Sequence, residues 1–279
     1  VEEERHEVDG FVGVVVVVVP EHVRRGFVEE LREVAQDGFA PAHERYHALD
    51  VVRHEPSLLI GVRLDAAVPL GGAGVLGPRL PPSVGAARAE PPLLPVEDIA
   101  VGLPFGGVPI LIKGLGQDLA GEPNTAGAKL LAQSVAKRTS AFVSTLERAG
   151  FIVLGQTNTP EFGFKNITDP QLYGPTRNPW NLQHSAGGSS GGAAAVVAAG
   201  ISPVAAASDG GGSIRIPASF SGLIGLKPTR GKTPVGPGVG RNWQGAAINF
   251  ALTRTMRDTA AMLDALQIEQ PAAAFLTPV

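Results

Sequence analysis

The sequence predicts an α/β fold, with a β-sheet core covered by helices on both faces. From Thr139 onward, helix patterns and strand patterns alternate, as they do in layered α/β proteins. Two apolar runs, Val108–Ile112 and Phe151–Leu154, are continuous rather than alternating, which is typical of strands in a covered sheet. With 279 residues, 44% of them hydrophobic, the chain is long enough for one large domain with a sizeable core.

The N-terminal part contains fewer clear elements. Phe11–Val19 is apolar and too short to span a bilayer, so it predicts a buried strand. Pro20–Gly38 has helical periodicity between a starting proline and a stopping glycine, and predicts an amphipathic helix. Gly61–Pro95 is rich in Gly and Pro without a clear period, and predicts a loop or linker.

Further along the chain, the pattern becomes regular. Thr139–Ala149 predicts an amphipathic helix that Gly150 stops. Gly155–Phe164 predicts a loop that lines a site. Thr253–Leu266 predicts a second amphipathic helix, whose inward face we expect to contain Met256, Ala260, Leu263 and Leu266.

Two glycine clusters wrapped around serines organise the chain, Gly187–Gly192 and Asp209–Ser213. Between them, Ala193–Gly200 predicts a short helix and Ile201–Ala207 a buried strand. This order returns the second cluster to the same end of the sheet as the first. Serines beside exposed backbone N–H groups suit acyl transfer, which needs a nucleophile and donors for an oxyanion. The competing interpretation is two surface turns.

Two other serine or glycine chemistries fit poorly. Residues 187–191 match the G-x-S-x-G nucleophile elbow, but that mechanism needs a histidine later in the chain, and His184 is the last one. A phosphate-binding loop needs Lys-Ser/Thr after its last glycine, whereas alanines follow Gly192.

Without a histidine, a neutral lysine could take the proton of a serine. Lys113 ends the apolar run that starts at Val108, so a central strand would bury it. A free lysine has a pKa of about 10.4, and burial can lower that value by about 3 units. The alternative is a strand-end lysine that reaches water. Lys227 has a similar local sequence and is the second candidate for the base.

The motifs GGSSGG and SDGGGSIRIPASFSGLIGLKPTRG resemble the amidase signature family, as do Leu111–Lys113 and Gly155–Gly163. The resemblance runs from about Pro104 to about Leu266. In the segment TRNPWN and in GLKPTRGK, the sequence looks more like the aminohexanoate cyclic-dimer hydrolase branch than the glutamyl-tRNA amidotransferase subunit.

The resemblance implies a Ser–cis-Ser–Lys triad that hydrolyses a small linear or cyclic amide through an acyl-enzyme, on a mixed β-sheet. Carried over residue by residue, Ser213 is the nucleophile, Ser189 the bridging serine on a cis peptide, and Lys113 the base. The family's remaining site positions fall on the oxyanion N–H groups of Gly210, Gly211, Gly212 and Ser213, and on the supporting residues Ser190, Asp209 and Arg215. Asp209 and Arg215 are expected to pair and hold the loop.

Four positions depart from common family residues: Gly114 where Asp is common, Gln156 for Lys, Ala193 for Ser and Ser208 for Thr. None removes a triad member. Family members also extend well beyond the part that resembles this chain, so we expect an amidase core that is incomplete at its C-terminus. A homodimer or a completing chain could supply the rest. A non-catalytic, truncated amidase-like domain is the alternative function.

Residues 1–98 do not follow the family pattern. The first 112 residues contain no Lys, Asn or Thr although they contain nine Arg, and all three residues are common afterwards. We interpret residues 1–98 as a divergent or non-family segment, or one read in a shifted frame, with a Gly/Pro-rich linker. Residues 99–279 are the predicted amidase-signature core.

Composition excludes several classes of protein. The net charge of −3 gives no reason to expect nucleic acid or an anionic membrane as a partner, and the absence of cysteine excludes disulfides and thiolate chemistry. The acidic first residues do not resemble a signal peptide, so we expect a cytoplasmic protein. No cofactor is expected. His43, His47 and His54 are not supported as a metal site by any carboxylate motif.

The glycine-rich stretch Pro234–Gln244 predicts a loop that could face a substrate. Its Trp243 could pack on a substrate or cover the core, and the second interpretation is slightly favoured.

Overall fold

The structure, a computed structural model, describes residues 102–235 and 242–268, together with the backbone of three strands nearer the N-terminus. These strands are β1 (Val14–Val15), β2 (Tyr46–His54) and β3 (Ser57–Leu64). β3 lies between β1 and β2 and is antiparallel to both.

The N-terminal predictions are tested only in part. β1 falls within the strand predicted over Phe11–Val19, while the helix predicted over Pro20–Gly38 and His43 lie outside the described residues. The loop predicted from Gly61 is wrong at its start, because residues 61–64 belong to β3. The hairpin of β2 and β3 was not predicted. The β3 sequence SLLIGVRL is apolar enough for a strand, and the single Gly61 within it does not interrupt the strand.

The described residues from 102 onward contain seven further strands, and five of them form the central sheet. In chain order the seven are β4 (Pro109–Lys113), β5 (Ile152–Thr157), β6 (Arg177–Asn178), β7 (Asn181–Ser185), β8 (Val204–Asp209), β9 (Ile224–Gly225) and β10 (Ile248–Thr253). The central sheet has the order β5-β4-β8-β10-β9, and β6 pairs with β7 separately.

The central sheet is mixed, as the family resemblance implied. β4 is parallel to β5 and to β8, whereas β10 is antiparallel to both β8 and β9. β4 therefore lies between two parallel neighbours, and its residues Ile110, Leu111 and Ile112 are buried. Because parallel strands carry their C-terminal ends to the same edge, the loops after β4, β5 and β8 meet there. This edge is where the serine clusters lie.

Within residues 102–235 and 242–268, four α-helices accompany the sheet. They are α1 (Ala141–Arg148), α2 (Gly191–Ala198), α3 (Arg215–Ser221) and α4 (Met256–Leu266). The prediction for α1 is confirmed: the Ser140 hydroxyl caps its start, its apolar face is buried, and Gly150 follows it with a φ of 99°. A side chain at Gly150 would also collide with the backbone of Gly106.

α2 and β8 form the centre of the core. All residues from Gly191 to Val197 are buried, and alanines dominate both elements, so helix and sheet can approach closely. The predicted helix over Ala193–Gly200 and strand over Ile201–Ala207 are confirmed, although α2 begins two residues earlier and β8 begins three residues later.

The face predicted for the last helix is right for Leu263 and Leu266, which belong to or pack against the core, and wrong for the other two residues. Met256 and Ala260 are exposed, while Thr259, Met262 and Leu266 are buried. The physical reason is a polar contact: the Thr259 hydroxyl lies 2.6 Å from the Thr253 hydroxyl, inside the core. Thr253 itself ends β10, a strand that was not predicted, and Thr255 caps the helix.

Candidate active site

Lys113 ends the buried strand β4, and its side chain is 0% exposed. Its amine lies 2.7 Å from the Ser189 hydroxyl and 3.0 Å from the Ser208 hydroxyl. Its backbone N–H donates to Gln117 Oε1 at 2.7 Å, which fixes the end of the strand. The expectation that the fold buries this lysine is confirmed, and the alternative of an amine that reaches water is wrong.

Burial lowers the pKa of Lys113 to about 7, against the opposing influence of the Asp209 charge. A large fraction of the amine is therefore neutral near neutral pH. An ammonium group has no lone pair to offer, whereas a neutral amine can accept one hydrogen bond while it donates others. A neutral Lys113 can thus donate to Ser208 and accept the proton of Ser189.

Ser189 lies in the loop between β7 and α2, is 2% exposed, and follows a cis peptide bond from Gly188. The Thr168 hydroxyl forms hydrogen bonds with this loop on both sides of Ser189: it donates to the Gly187 carbonyl at 3.0 Å and accepts from the Gly191 N–H at 3.1 Å. These contacts leave little freedom in the backbone on either side of Ser189.

The second cluster follows β8 and folds around the Asp209 carboxylate. Arg215 donates to both carboxylate oxygens, with Nε and Nη2 each 3.0 Å away, so the expected pair is present. The backbone N–H groups of Gly212 and Ile214 also donate, at 2.8 and 3.1 Å. Burial alone would raise the pKa of Asp209, but these donors hold it below its ordinary value.

One of the predicted oxyanion donors is already occupied. The Gly212 N–H donates to Asp209 Oδ1, so in this conformation it does not face a substrate oxygen. Gly211 is exposed and Gly210 is half-buried. The N–H groups of Gly210, Gly211 and Ser213 remain the predicted oxyanion donors.

The two serine clusters are joined through Ser190. Its N–H donates to the Ser213 carbonyl at 3.3 Å, and its hydroxyl lies 3.3 Å from the Ser208 carbonyl. Ser213 itself is half-buried. Within residues 102–235 and 242–268, no hydrogen bond joins the Ser189 and Ser213 hydroxyls, so this link of the relay stays a prediction.

Lys227, the second candidate for the base, is half-buried rather than enclosed. Lys113, rather than Lys227, therefore lies beside a site serine, with its amine 2.7 Å from the Ser189 hydroxyl.

Sequence reasoning missed two residues that support Lys113. Ser208 stands where the family commonly has Thr, and its hydroxyl contacts the amine. Gln117 accepts from the Lys113 N–H, and it donates to the Ala207 carbonyl at 2.9 Å and to Asn249 Oδ1 at 3.3 Å. A glutamine four residues after a buried strand-end lysine is the signal that could have indicated it.

Two of the four residues that differ from the common family residues form hydrogen bonds with neighbouring backbone. Gln156 donates to the Pro123 carbonyl at 2.7 Å, and the Gly114 N–H donates to the Thr157 carbonyl at 3.0 Å. Neither residue contacts the Lys113 amine in the described hydrogen bonds.

Across the ranges 102–235 and 242–268, no group of three or more His, Cys, Asp or Glu side chains is arranged to hold a metal ion. No helix in the described part of the chain is long and apolar enough to cross a membrane.

The amidase family model matches residues 97–275, and the chain belongs to the amidase family. The lipoamidase of Enterococcus faecalis is 55% identical over 165 residues, which cover 59% of this chain and 22% of that protein. The 6-aminohexanoate-cyclic-dimer hydrolase of Paenarthrobacter ureafaciens is 48% identical over 179 residues, covering 63% of this chain and 36% of that protein.

Solved structures of similar sequence lead to the same family. The 6-aminohexanoate cyclic dimer hydrolase complexed with substrate superposes with a TM-score of 0.60 at 46% identity, over 62% of this chain and 36% of that one. A bacterial aryl acylamidase of the amidase signature family gives a TM-score of 0.56 at 38% identity, over 62% of this chain and 36% of that one. The predicted family and the mixed-sheet fold are confirmed. This chain spans only 22 to 36% of the length of these relatives.

Proposed function

We propose that this chain carries the catalytic centre of an amidase that hydrolyses the carbon–nitrogen bond of a small linear or cyclic amide. The observation that carries the proposal is the fully buried Lys113 amine, 2.7 Å from the Ser189 hydroxyl. Membership of the amidase family supports the same reaction, since its relatives include proteins named lipoamidase, acylamidase and cyclic-dimer hydrolase.

In the first half of the reaction, neutral Lys113 takes the proton of Ser189 while Ser189 takes the proton of Ser213. The Ser213 oxygen bonds to the amide carbon, and the carbonyl oxygen becomes an oxyanion held by the N–H groups of Gly210, Gly211 and Ser213. As the carbon–nitrogen bond breaks, the nitrogen receives a proton from Ser189, which is resupplied by the Lys113 ammonium. The amine leaves, and Ser213 carries the acyl group.

In the second half, water attacks the ester carbon. Its proton passes through Ser189 to Lys113 and from there back to the Ser213 oxygen as the acid leaves, so the enzyme returns to its starting state. The relay needs the Ser189 and Ser213 hydroxyls to approach each other when substrate binds. Catalytic hydrogen bonds are often long in the free enzyme and shorten only in the complex.

Supporting roles follow from the contacts around the relay. Ser208 and Gln117 position Lys113, and Ser190 joins the two serine clusters. Asp209, held by Arg215, shapes the loop that presents Ser213. No step of this mechanism requires a cofactor. A cytoplasmic location and a homodimer or completing chain remain predictions.

A fluorophosphonate probe followed by peptide mass spectrometry tests the proposal on the full chain. We expect labelling of Ser213, its abolition in Ser213→Ala, and strong reduction in Lys113→Ala. Ser219→Ala, an exposed serine on α3, is the matched control and should label normally. A folded protein that does not label would favour the non-catalytic alternative.

A further inference from the structure

Three aromatic side chains lie together beside the two serine clusters and remain open to solvent. Phe162, Phe164 and Trp243 are 39%, 74% and 49% exposed. Phe164 stacks on Trp243 with a ring separation of 5.8 Å, and Phe162 lies 6.3 Å from Phe164. We call these three residues the aromatic wall. Large exposed apolar side chains that are contiguous commonly mark a binding surface.

The aromatic wall lies next to the candidate active site at both ends. The ring of Trp243 covers Gly210 so closely that a Cβ there would lie 2.8 Å from Cε3. At the other end, a Cβ at Gly163, between the two phenylalanines, would lie 3.4 Å from the Ser189 hydroxyl oxygen. The wall therefore extends from the predicted oxyanion loop to the predicted proton relay.

The backbone that presents the wall is unusual for such large residues. Phe162 has a φ of 53°, Trp243 of 50° and Gln244 of 53°, in the left-handed region that favours glycine. Hydrogen bonds hold these turns: the Phe162 N–H donates to the Ala126 carbonyl, and the Ala246 N–H to the Trp243 carbonyl. Residues held in such conformations cluster at binding and active sites.

One charge next to the wall is compensated. Lys165, which follows Phe164, pairs with Asp169 at 3.2 Å. The three rings themselves offer stacking and apolar contact.

The geometry points to a specificity surface: the aromatic wall binds an apolar chain or ring attached next to the scissile amide. This inference rests on the proposed function and narrows its substrate class to hydrophobic amides. Aromatic rings contact alkyl groups and other rings at low entropic cost, and each buried methylene strengthens binding. The apolar group can belong to the acyl side or to the amine side of the substrate.

The chain contains two tryptophans, which makes a direct binding measurement feasible without turnover. We would incorporate 5-fluorotryptophan into the Ser213→Ala protein and follow both fluorine resonances during ligand titration. Acetamide is compared with hexanamide and phenylacetamide for the acyl side, and with N-hexylacetamide and acetanilide for the amine side. Trp180, 73% exposed, supplies the internal control resonance.

We expect the Trp243 resonance to shift and that of Trp180 to stay in place. Affinity should rise about tenfold or more from acetamide to the apolar amides of one series, which identifies the side that the wall binds. Phe164→Ala should remove most of that gain, whereas Trp180→Ala should keep it. Equal affinity for acetamide and all apolar amides, or a gain that Phe164→Ala leaves intact, would overturn the inference.

Hydrolysis is measured separately with the wild-type chain. Binding at Trp243 that is stronger for the apolar amides than for acetamide, without turnover of any amide, would support the inference about the aromatic wall. The same result would count against the proposed function. Turnover that is equally fast for acetamide and for apolar amides would support the proposed function and overturn the inference that the aromatic wall sets specificity.

Discussion

The amine of Lys113 and the hydroxyl of Ser189 are 2.7 Å apart, although 76 residues separate them in the chain. β4 places Lys113 at the sheet edge beside β8, and Ser190, next to Ser189, joins the Ser189 loop to the residues that end and follow β8 through 3.3 Å contacts with the Ser208 and Ser213 carbonyls. The contact occurs where water is excluded, so the lysine has its pKa lowered to about 7. Most of the chemistry proposed for this chain depends on this pair.

Burying Lys113 should cost stability in a way that depends on pH. Its pKa is about 7 in the folded chain against 10.5 for a free side chain, so between these values the unfolded chain binds more protons. Stability should therefore rise with pH across this window, by about 1.4 kcal/mol per unit relative to Lys113→Met. Below pH 7 the difference between the two proteins should be constant.

Urea unfolding of both proteins at pH 6, 8 and 9.5 measures this effect, since groups common to both cancel in the difference. We expect Lys113→Met to be the more stable protein at pH 6 and to lose about 3 kcal/mol of its advantage by pH 9.5. Parallel stability curves would show that the lysine is not held neutral by the fold.

Asp209 and Arg215 should contribute unequally to stability. Asp209→Ala leaves the buried N–H groups of Gly212 and Ile214 without their acceptor, which costs about 1–3 kcal/mol for each. Arg215→Ala leaves those two bonds in place, and its side chain is 54% exposed, so we expect a loss of about 1 kcal/mol. Denaturant unfolding compares the variants, and equal losses would contradict this account of the loop.

Two glycines of the serine clusters offer a contrast in close packing. A Cβ at Gly192 would collide with the backbone of Asn158, whereas a Cβ at Gly211 would meet nothing within 4 Å. We expect Gly192→Ala to lower stability by about 3 kcal/mol or more and Gly211→Ala to change it little. Thermal unfolding distinguishes the two, and a stable Gly192→Ala protein would mean that α2 lies farther from β5 than described.

The contact between Gly210 and Trp243 can be measured by a double-mutant cycle. Gly210 does not have a positive φ, so the backbone can accept an alanine there. Gly210→Ala should therefore lower stability only because its Cβ meets the indole ring. Removing the ring in Gly210→Ala/Trp243→Ala should relieve that cost, with a coupling of about 0.5–3 kcal/mol in stability. Additive losses would indicate that the two residues do not touch.

The sequence predicted much of this fold because its core elements are locally consistent. β4, α1, α2 and β8 carry continuous apolar runs or clear cap and stop residues. β10 was missed because its sequence, INFALT, mixes apolar residues with buried polar ones. Asn249 and Thr253 are satisfied by Gln117 and Thr259, and no local periodicity reveals such partners.

The candidate site was predictable in composition but not in every contact. The serine clusters and the buried lysine follow from residue types and spacing. The contact of Ser208 with Lys113, and the use of the Gly212 N–H by Asp209, depend on tertiary geometry that spacing alone does not determine. The error at the start of α4 has the same origin, because the buried contact of Thr259 with Thr253 places a polar residue on the inward face beside Met262 and Leu266.

The pH dependence of Ser213 acylation tests the central claim most directly. The rate of fluorophosphonate labelling should increase as the pH rises through an apparent pKa of about 7, because only neutral Lys113 can take the proton that Ser189 passes on. Lys113→Ala should remove this dependence along with most of the rate. A labelling rate that does not change between pH 5 and 9, or labelling of a serine other than Ser213, would contradict the account.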